Sequence, residues 1–297
     1  MATIHIQVTG QYDLALSLRG SRSFSAGNSE VSPTTSPEPA VFRSALMLEG
    51  RPSLLEIRQP AESTFLEASS RPVASAGAVS RIAAKVTNAA QDLRPFYAAT
   101  ADHSVLGPLT TSLRGLKAFR PTTLFEMLVI AVIEQQISLM AAHHIRERIV
   151  HRFGVAVDGL TVFPSVDALA EASREELMEC GVSGRKSEYI GDLARMAASG
   201  TVDLEAWETL PDEEIRERVT ALRGFGRWSA DYLLVRGLGR PDAVPVDDLG
   251  IQTLVGKVMG YERRLSAEEL QAALEPFAPF RGLAVFYLLV GSRLSII

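Results

Sequence analysis

Residues 212–232 read Asp-Glu-Glu-Ile-Arg-Glu-Arg-Val-Thr-Ala-Leu-Arg-Gly-Phe-Gly-Arg-Trp-Ser-Ala-Asp-Tyr and predict two helices joined by a turn that carries two glycines. The first helix is expected to end at Leu222 and the second to begin near Arg227. Gly224 and Gly226 permit positive φ and leave backbone N–H groups uncovered. Such groups at a helix N-terminus attract anions, because the helix dipole is positive there. The stretch therefore predicts a corner that can bind phosphate without a lysine, with an ordinary helix–helix corner as the alternative.

A second informative stretch follows twenty residues after Trp228 and reads Val244-Pro-Val-Asp-Asp-Leu-Gly-Ile251. An apolar approach ends here in two adjacent carboxylates that open a new helix. Acidic residues are common helix N-caps, but capping uses only one of them. The pair therefore indicates that one carboxylate has a function other than capping.

Together the two stretches, residues 222–251, resemble the helix-hairpin-helix DNA glycosylase superfamily, and within it the 3-methyladenine DNA glycosylase II (AlkA-like) branch. Two upstream segments resemble the same branch. They are Leu124-Phe-Glu-Met-Leu-Val129 followed by Glu134-Gln-Gln-Ile-Ser138, and Gly181-Val-Ser-Gly-Arg-Lys-Ser-Glu-Tyr-Ile190. The resemblance covers residues 124–290 in order.

The resemblance implies a mainly α fold with a small α+β N-terminal domain and the helix-hairpin-helix glycosylase architecture. It implies a domain over 1–80, a helical domain formed by 81–121 and 249–297, and a helical domain over 122–248 that contains the hairpin. The active site is expected in the cleft between the two helical domains. The implied activity is that of a monofunctional DNA glycosylase in base excision repair, which flips out and hydrolytically excises alkylated purines of the 3-methyladenine type.

Asp248 is the catalytic residue that the resemblance implies, because the family's Asp-Leu-Gly pattern places the acid directly before Leu249. The residue three positions after that acid is normally apolar, which suits Ile251 better than Gly250. Spacing from the hairpin alone would instead select Asp247, which otherwise is expected to be an N-cap or a supporting group.

The remaining site residues fall into two sets. Trp228 and Tyr232, one helical turn apart, and Phe280 are expected to bind the base, with core packing as the alternative for Tyr232 and Phe280. The predicted DNA contacts are a wedge at Gln136, with capping of a helical corner as the alternative, together with Gly224, Gly226, Arg227 and Ser229. Arg185 and Lys186 are further candidate phosphate partners.

Composition limits the cofactors and the partners. A single cysteine, Cys180, excludes an internal disulfide framework and cysteine metal clusters. We therefore expect no metal and no cofactor, apart from a structural monovalent cation considered at the hairpin. The expected partner is double-stranded DNA that contains damaged bases. The chain lacks an evident signal peptide or membrane-length apolar run, which predicts a cytoplasmic protein, nucleoid-associated if bacterial, with no membrane partner. A monomer would suffice for the implied activity and is the expected state.

Net charge is −5 in 297 residues, which taken alone argues against binding to nucleic acid. The charge is unevenly distributed. Residues 166–220 hold fourteen acids against six bases, whereas residues 81–120 hold six bases against two acids. This distribution predicts an acidic face and a basic face elsewhere.

Hydrophobic periodicity separates a strand-rich N-terminal part from a helical remainder. Strands are predicted at Ile4–Val8, Tyr12–Leu18 and parts of Phe42–Ile57, with an irregular connection over Ser21–Pro39. Helices are predicted at Val79–Leu93, Thr123–Phe153, Ser165–Glu179, Arg185–Ala198, Leu204–Glu208, Asp212–Leu222, Trp228–Gly237, Asp248–Val258, Ala267–Leu274 and Pro279–Leu294.

Two other functions compete with the glycosylase hypothesis. A non-catalytic helix-hairpin-helix DNA-binding module would explain Gly224 and Gly226 but would leave Asp248 unused. A bifunctional oxidised-base glycosylase/lyase would need a lysine where this chain has Trp228, since an indole cannot form an imine with the sugar.

Overall fold

The protein is described by a computed structural model over residues 3–21, 29–31, 40–61 and 63–297. It is mostly helical, with a small antiparallel sheet near the N-terminus, which confirms the predicted fold class. The strands are β1 Ile4–Gln7, β2 Ser29–Val31, β3 Val41–Leu48, β4 Arg51–Arg58, β5 Phe65–Arg71, β6 Ala156–Val157 and β7 Leu160–Thr161. The helices are α1 Leu14–Ser21, α2 Ala76–Val86, α3 Arg94–Thr100, α4 Leu106–Ser112, α5 Leu124–Glu134, α6 Leu139–Phe153, α7 Val166–Glu171, α8 Arg174–Glu179, α9 Gly184–Ala198, α10 Asp212–Thr220, α11 Arg227–Tyr232, α12 Leu249–Val258, α13 Ala267–Leu274 and α14 Arg281–Arg293, with short 3-10 turns at Glu205–Thr209 and Glu275–Phe277 and a π-helical turn at Leu233–Gly237.

The first five strands form one sheet in the order β1-β5-β4-β3-β2, and every pairing in it is antiparallel. Alternate residues of β5 are buried, as expected for a sheet with one face against a core. That face packs against α1 and α2, where Leu14, Leu18 and Val79 meet Leu55 and Ile57 of β4. The short strands β6 and β7 form a separate hairpin.

The predicted strand over Tyr12–Leu18 is wrong, because this segment begins helix α1. Asp13 accepts a hydrogen bond from the backbone N–H of Leu16 at 2.8 Å, as a residue preceding a helix does. Leu14 and Leu18 lie one helical turn apart and are both buried. Of the predicted connection over Ser21–Pro39, residues 29–31 form β2, while 22–28 and 32–39 lie outside the described residues.

Two predicted helical segments are each divided by a capping serine, the first of them at the Gln-Gln-hydrophobic-Ser corner that the resemblance implies. The segment Thr123–Phe153 breaks into α5 and α6, with Gln136 at φ +56° and Ser138 accepting a hydrogen bond from the N–H of Ala141. The segment 165–179 breaks into α7 and α8, and Ser173 forms a capping box with Glu176. Both divisions have the same cause, because each serine caps the N-terminus of a new helix that runs in a new direction.

Three hydrophobic cores organise the chain. One lies among helices between Leu124 and Ala243, and a second combines residues 93–116 with residues 244–290. The third fills the sheet side and includes Phe119. The domain limits given above remain a proposal, which this distribution of cores supports.

Three of the six bases in the segment 81–120 are paired or buried, and the predicted basic face stays a prediction. Lys85 pairs with Glu208, and Arg94 pairs with Asp92 at 2.7 Å. Lys117 is fully buried, and its ammonium donates to the carbonyls of Thr9 at 3.0 Å and Ala89 at 2.8 Å. Burial lowers the pKa of Lys117 to about 8.

We expect Lys117→Met to lower the free energy of unfolding by about 1–3 kcal/mol at neutral pH, because two buried carbonyls lose a donor. The pH dependence has a defined sign. Between about pH 8 and the ordinary lysine value of 10.5, the unfolded chain holds a proton that the folded chain has lost. The wild-type protein therefore gains stability with rising pH in this window, and the variant does not. Urea unfolding at two pH values measures the difference, and equal slopes for both proteins would contradict it.

No single helix in the described part of the chain has the length and hydropathy needed to cross a membrane. The segments Ala267–Phe277 and Arg281–Arg293, bent by 102° with respect to each other, meet these two requirements only when taken together.

Candidate active site

A cavity of about 390 Å³ lies between the first and second hydrophobic cores. Its volume is in the range of small-ligand pockets. Its walls come from the end of α5, the hairpin helix α11, the start of α12 and helix α14. Most of its surface is apolar. Its polar and aromatic lining includes Glu134, Trp228, Tyr232, Asp248, Phe286 and Arg293.

Trp228 and Tyr232 form one wall of the cavity. They lie four residues apart on α11, so their side chains leave the same face of the helix. Their rings are stacked, with centroids 4.8 Å apart and an interplanar angle of 23°. Aromatic faces attract cations, and the pair therefore offers a surface for a flat cationic group.

Asp248 stands at the N-terminus of α12 and faces the same cavity. Its Oδ1 accepts hydrogen bonds from the N–H groups of Gly250 at 2.9 Å and Ile251 at 3.0 Å. Its Oδ2 accepts one from the indole N–H of Trp228 at 2.9 Å. The carboxylate is thus held in one orientation by three donors.

The neighbouring Asp247 has a different position. It is exposed and is not among the residues that line the cavity. The N-cap of α12 is Asp248, so the prediction that Asp247 is the cap is wrong. The carboxylate of Asp248 both caps α12 and lines the cavity, because Oδ1 accepts from the backbone of α12 and Oδ2 accepts from Trp228.

Glu134 is a lining residue to which the sequence assigned no role. The Tyr232 hydroxyl donates to its Oε2 at 2.6 Å. Burial raises the pKa of Glu134, and the pKa of Tyr232 lies well above its ordinary value for the same reason. The signal available in the sequence was a charged residue at the end of the almost entirely apolar helix α5.

The two hairpin glycines differ in whether the structure has room for a side chain at their positions. Gly224 has φ +91°, and a Cβ there would lie 2.3 Å from ring atoms of Tyr189. Gly226 has φ −115°, and a Cβ there would meet open space. Gly224 is therefore needed for the conformation and packing of the turn, whereas Gly226 leaves the start of α11 uncovered.

The corner between α5 and α6 is tied to the hairpin. The Gln135 amide donates to the carbonyl of Gly224 at 2.9 Å and to the hydroxyl of Ser229 at 3.3 Å. The neighbouring Gln136 is exposed at φ +56°, and the residue after it, Ile137, lines the cavity. The role of Gln136 as a wedge stays a prediction.

The other predicted DNA contacts occupy contrasting positions. Ser229 is only 1% exposed, so its hydroxyl accepts from Gln135 at the corner and does not reach the surface. Lys186 turns inward and donates to the carbonyls of Ile133 at 2.8 Å and Gln135 at 2.6 Å. Arg227 pairs with Asp231 at 3.0 Å but keeps half of its side chain exposed, and Arg185 is exposed. The two arginines thus remain accessible to phosphate.

Phe280 lies outside the cavity lining, so the structure does not bring it together with the other predicted base contacts. It packs in the second core, 6.0 Å from the ring of Phe96 between centroids. The aromatic residue that α14 contributes to the cavity is Phe286. On the N-terminal side, Gly20 is the lining residue.

The sequence is similar to known DNA repair proteins. Residues 129–279 match the sequence model of the HhH-GPD superfamily of base excision DNA repair proteins. The chain is 31% identical over 178 residues to DNA-3-methyladenine glycosylase 1 of Schizosaccharomyces pombe, covering 58% of this chain and 73% of that protein. It is 29% identical over 201 residues to DNA-3-methyladenine glycosylase of Bacillus subtilis, covering 66% of each. Two Bacillus subtilis relatives are matched over 58% and 66% of their lengths, so the chain spans less than two thirds of them.

The fold is similar to that of solved structures over nearly the whole chain. A 3-methyladenine DNA glycosylase from Archaeoglobus fulgidus superposes with a TM-score of 0.82 at 27% identity, covering 99% of both chains. An 8-oxoguanine glycosylase/lyase from Clostridium acetobutylicum superposes with a TM-score of 0.75 at 16% identity, covering 98% of this chain and 96% of that one. The second likeness concerns the fold alone.

Proposed function

We propose, from the premise that this chain belongs to the HhH-GPD superfamily of base excision DNA repair proteins, that it is a monofunctional DNA glycosylase. Its substrate is double-stranded DNA that contains alkylated purines of the 3-methyladenine type. One observation carries this proposal. The Asp248 carboxylate and the stacked pair of Trp228 and Tyr232 face one cavity and are joined by the hydrogen bond from Trp228.

The chemistry follows from the positive charge that develops on the sugar as the N-glycosidic bond breaks. The Asp248 carboxylate stabilises this charge and orients the water that attacks the sugar. The base must first leave the helical stack and enter the cavity. An alkylated purine is cationic, and the faces of Trp228 and Tyr232 favour it over a neutral base. Gln136 fills the gap in the duplex, and the hairpin with Arg227 holds the phosphates.

The lyase alternative has less support. In bifunctional relatives a lysine early in the second hairpin helix forms a Schiff base with the sugar, and here that position holds Trp228. Among the described residues that line the cavity there is no lysine. A simple DNA-binding module has less support as well, because it gives no reason for a carboxylate and an aromatic wall inside a cavity.

The proposed reaction consumes only water and uses no cofactor. The monovalent cation considered at the hairpin stays a prediction, and no step depends on it. A monomer suffices for the proposed site, and a cytoplasmic or nucleoid location would place the enzyme beside its substrate.

The proposal is tested with duplex DNA that carries methylated purines. We expect release of free 3-methyladenine, measured by chromatography, and intact strands until hot alkali is added. Borohydride added during the reaction should trap no protein–DNA adduct, because Trp228 cannot form an imine. Failure to release any alkylated purine would refute the glycosylase proposal. A trapped adduct with strand breakage would instead refute the monofunctional mechanism.

A further inference from the structure

The cavity contains a second carboxyl group, Glu134, which the proposed cleavage does not use. Its position mirrors that of Asp248. The aromatic wall is held at one end by the hydrogen bond from Trp228 to Asp248 and at the other by the hydrogen bond from Tyr232 to Glu134. Asp248 and Glu134 are the two acidic residues among the described residues that line the cavity.

Glu134 lies in an unusual electrostatic environment for a carboxyl group. Burial is the largest influence on Glu134 and raises its pKa, while the charges of Arg146 and Arg236, only 4% and 8% exposed, oppose that shift and favour the ionised form. The hydroxyl of Tyr232 also favours that form. Because Tyr232 occupies Oε2, the carboxyl keeps an oxygen that can accept a further hydrogen bond. In its ionised form the carboxyl of Glu134 accepts hydrogen bonds and donates none.

From this geometry we infer that Glu134 is a specificity-determining residue, which accepts a hydrogen bond from an amino group on the flipped base. The inference rests on the proposed glycosylase function. An adenine derivative presents an exocyclic amino group on the edge where guanine presents a carbonyl oxygen. A carboxylate accepts a hydrogen bond from the amino group of adenine and repels the carbonyl oxygen of guanine. Glu134 therefore favours alkylated adenine over alkylated guanine.

Two substrates separate this effect from simple charge attraction. 3-Methyladenine and 7-methylguanine in DNA are both cationic, so the attraction to the aromatic wall and to the carboxylate of Asp248 is common to both. Their excision rates are compared as a ratio, which removes effects that act equally on the two bases. The assay uses the whole protein, single-turnover conditions and duplexes that carry one lesion each.

In Glu134→Gln we expect the ratio of the 3-methyladenine rate to the 7-methylguanine rate to fall at least about tenfold. The amide can turn either its oxygen or its amino group toward the base, so it no longer rejects the guanine oxygen. Glu134→Asp keeps the charge at a shorter reach and should preserve the direction of the preference at lower rates. Either variant alone tests the inference if the other does not fold.

Tyr232→Phe distinguishes recognition of the base from mere support of the aromatic wall. It removes the hydroxyl partner of Glu134 and keeps the ring. Because the hydroxyl also favours the ionised form of Glu134, we expect the ratio to fall, but by much less than in Glu134→Gln. An unchanged ratio in Glu134→Gln, or the same fall in ratio in Tyr232→Phe, would overturn the inference while the glycosylase function stands. Absence of release from either substrate by the wild-type protein would refute the function itself, and the inference with it.

Discussion

Asp248→Asn is expected to lower the rate of base release by about 10²- to 10⁴-fold, the range for losing a positioned charge or proton acceptor. The charge that stabilises the developing positive sugar is lost, while the shape of the side chain is kept. Affinity for DNA should remain or improve, because a negative group near the phosphates disappears. Single-turnover release and binding to undamaged duplex measure the two effects separately.

Asparagine is the informative replacement because it preserves the fold. Its side-chain oxygen can still accept from the N–H groups of Gly250 and Ile251, and asparagine is a good N-cap. Its amide can face the indole of Trp228 with a loss of only that hydrogen bond. Alanine would remove the cap as well, at a cost of about 1 kcal/mol, and would mix folding with chemistry.

The adjacent Asp247 provides the matched control. Asp247→Asn removes the same charge one residue away, from an exposed side chain outside the cavity lining. We expect its rate to stay within about threefold of the wild-type rate, since its effect is screened by solvent. A dead Asp247→Asn beside an active Asp248→Asn would show that the other carboxylate performs the chemistry.

The sequence predicts the local features of the site well, and the reasons are physical. The turn at Gly224 requires positive φ, which glycine adopts without strain. The cap of α12 also uses backbone N–H groups two and three residues away, although the sequence analysis expected it at Asp247 and the structure places it at Asp248. Both are short-range interactions, so they are visible in a short stretch of sequence. The stacking of Trp228 on Tyr232 follows similarly from their spacing on one helix.

Features that depend on distant segments were missed or misplaced. Glu134 meets Tyr232 across 98 residues of sequence, and the packing of α5 against α11 and the turn after it brings them together. Phe280 was expected in the cavity, but it packs against Phe96 while Phe286 faces the cavity. The position of a residue in the sequence does not reveal which side of its helix is turned toward the cavity. The error at Tyr12–Leu18 has a different cause, since its apolar pattern also suits a short helix with Leu14 and Leu18 on one face.

The hairpin glycines separate the stability of the turn from its binding to DNA. Gly224→Ala is expected to lower the free energy of unfolding by about 2–4 kcal/mol. About 1–2 kcal/mol comes from a side chain in the left-handed region and the rest from overlap with the ring of Tyr189. The ring cannot withdraw freely, because the guanidinium of Arg223 lies over it at 5.5 Å. Thermal and urea unfolding measure this loss, and affinity for every duplex should fall with it.

Gly226→Ala provides the contrast, because its Cβ would meet open space at φ −115°. We expect a change in stability of at most about 1 kcal/mol, since alanine is a poorer N-cap than glycine. If the uncovered N–H groups at the start of α11 hold a phosphate, the added methyl group weakens binding to undamaged and damaged duplex alike while the fold is retained. Unchanged affinity in Gly226→Ala, with loss only in Gly224→Ala, would mean that the hairpin supports the cavity and does not bind the DNA backbone itself.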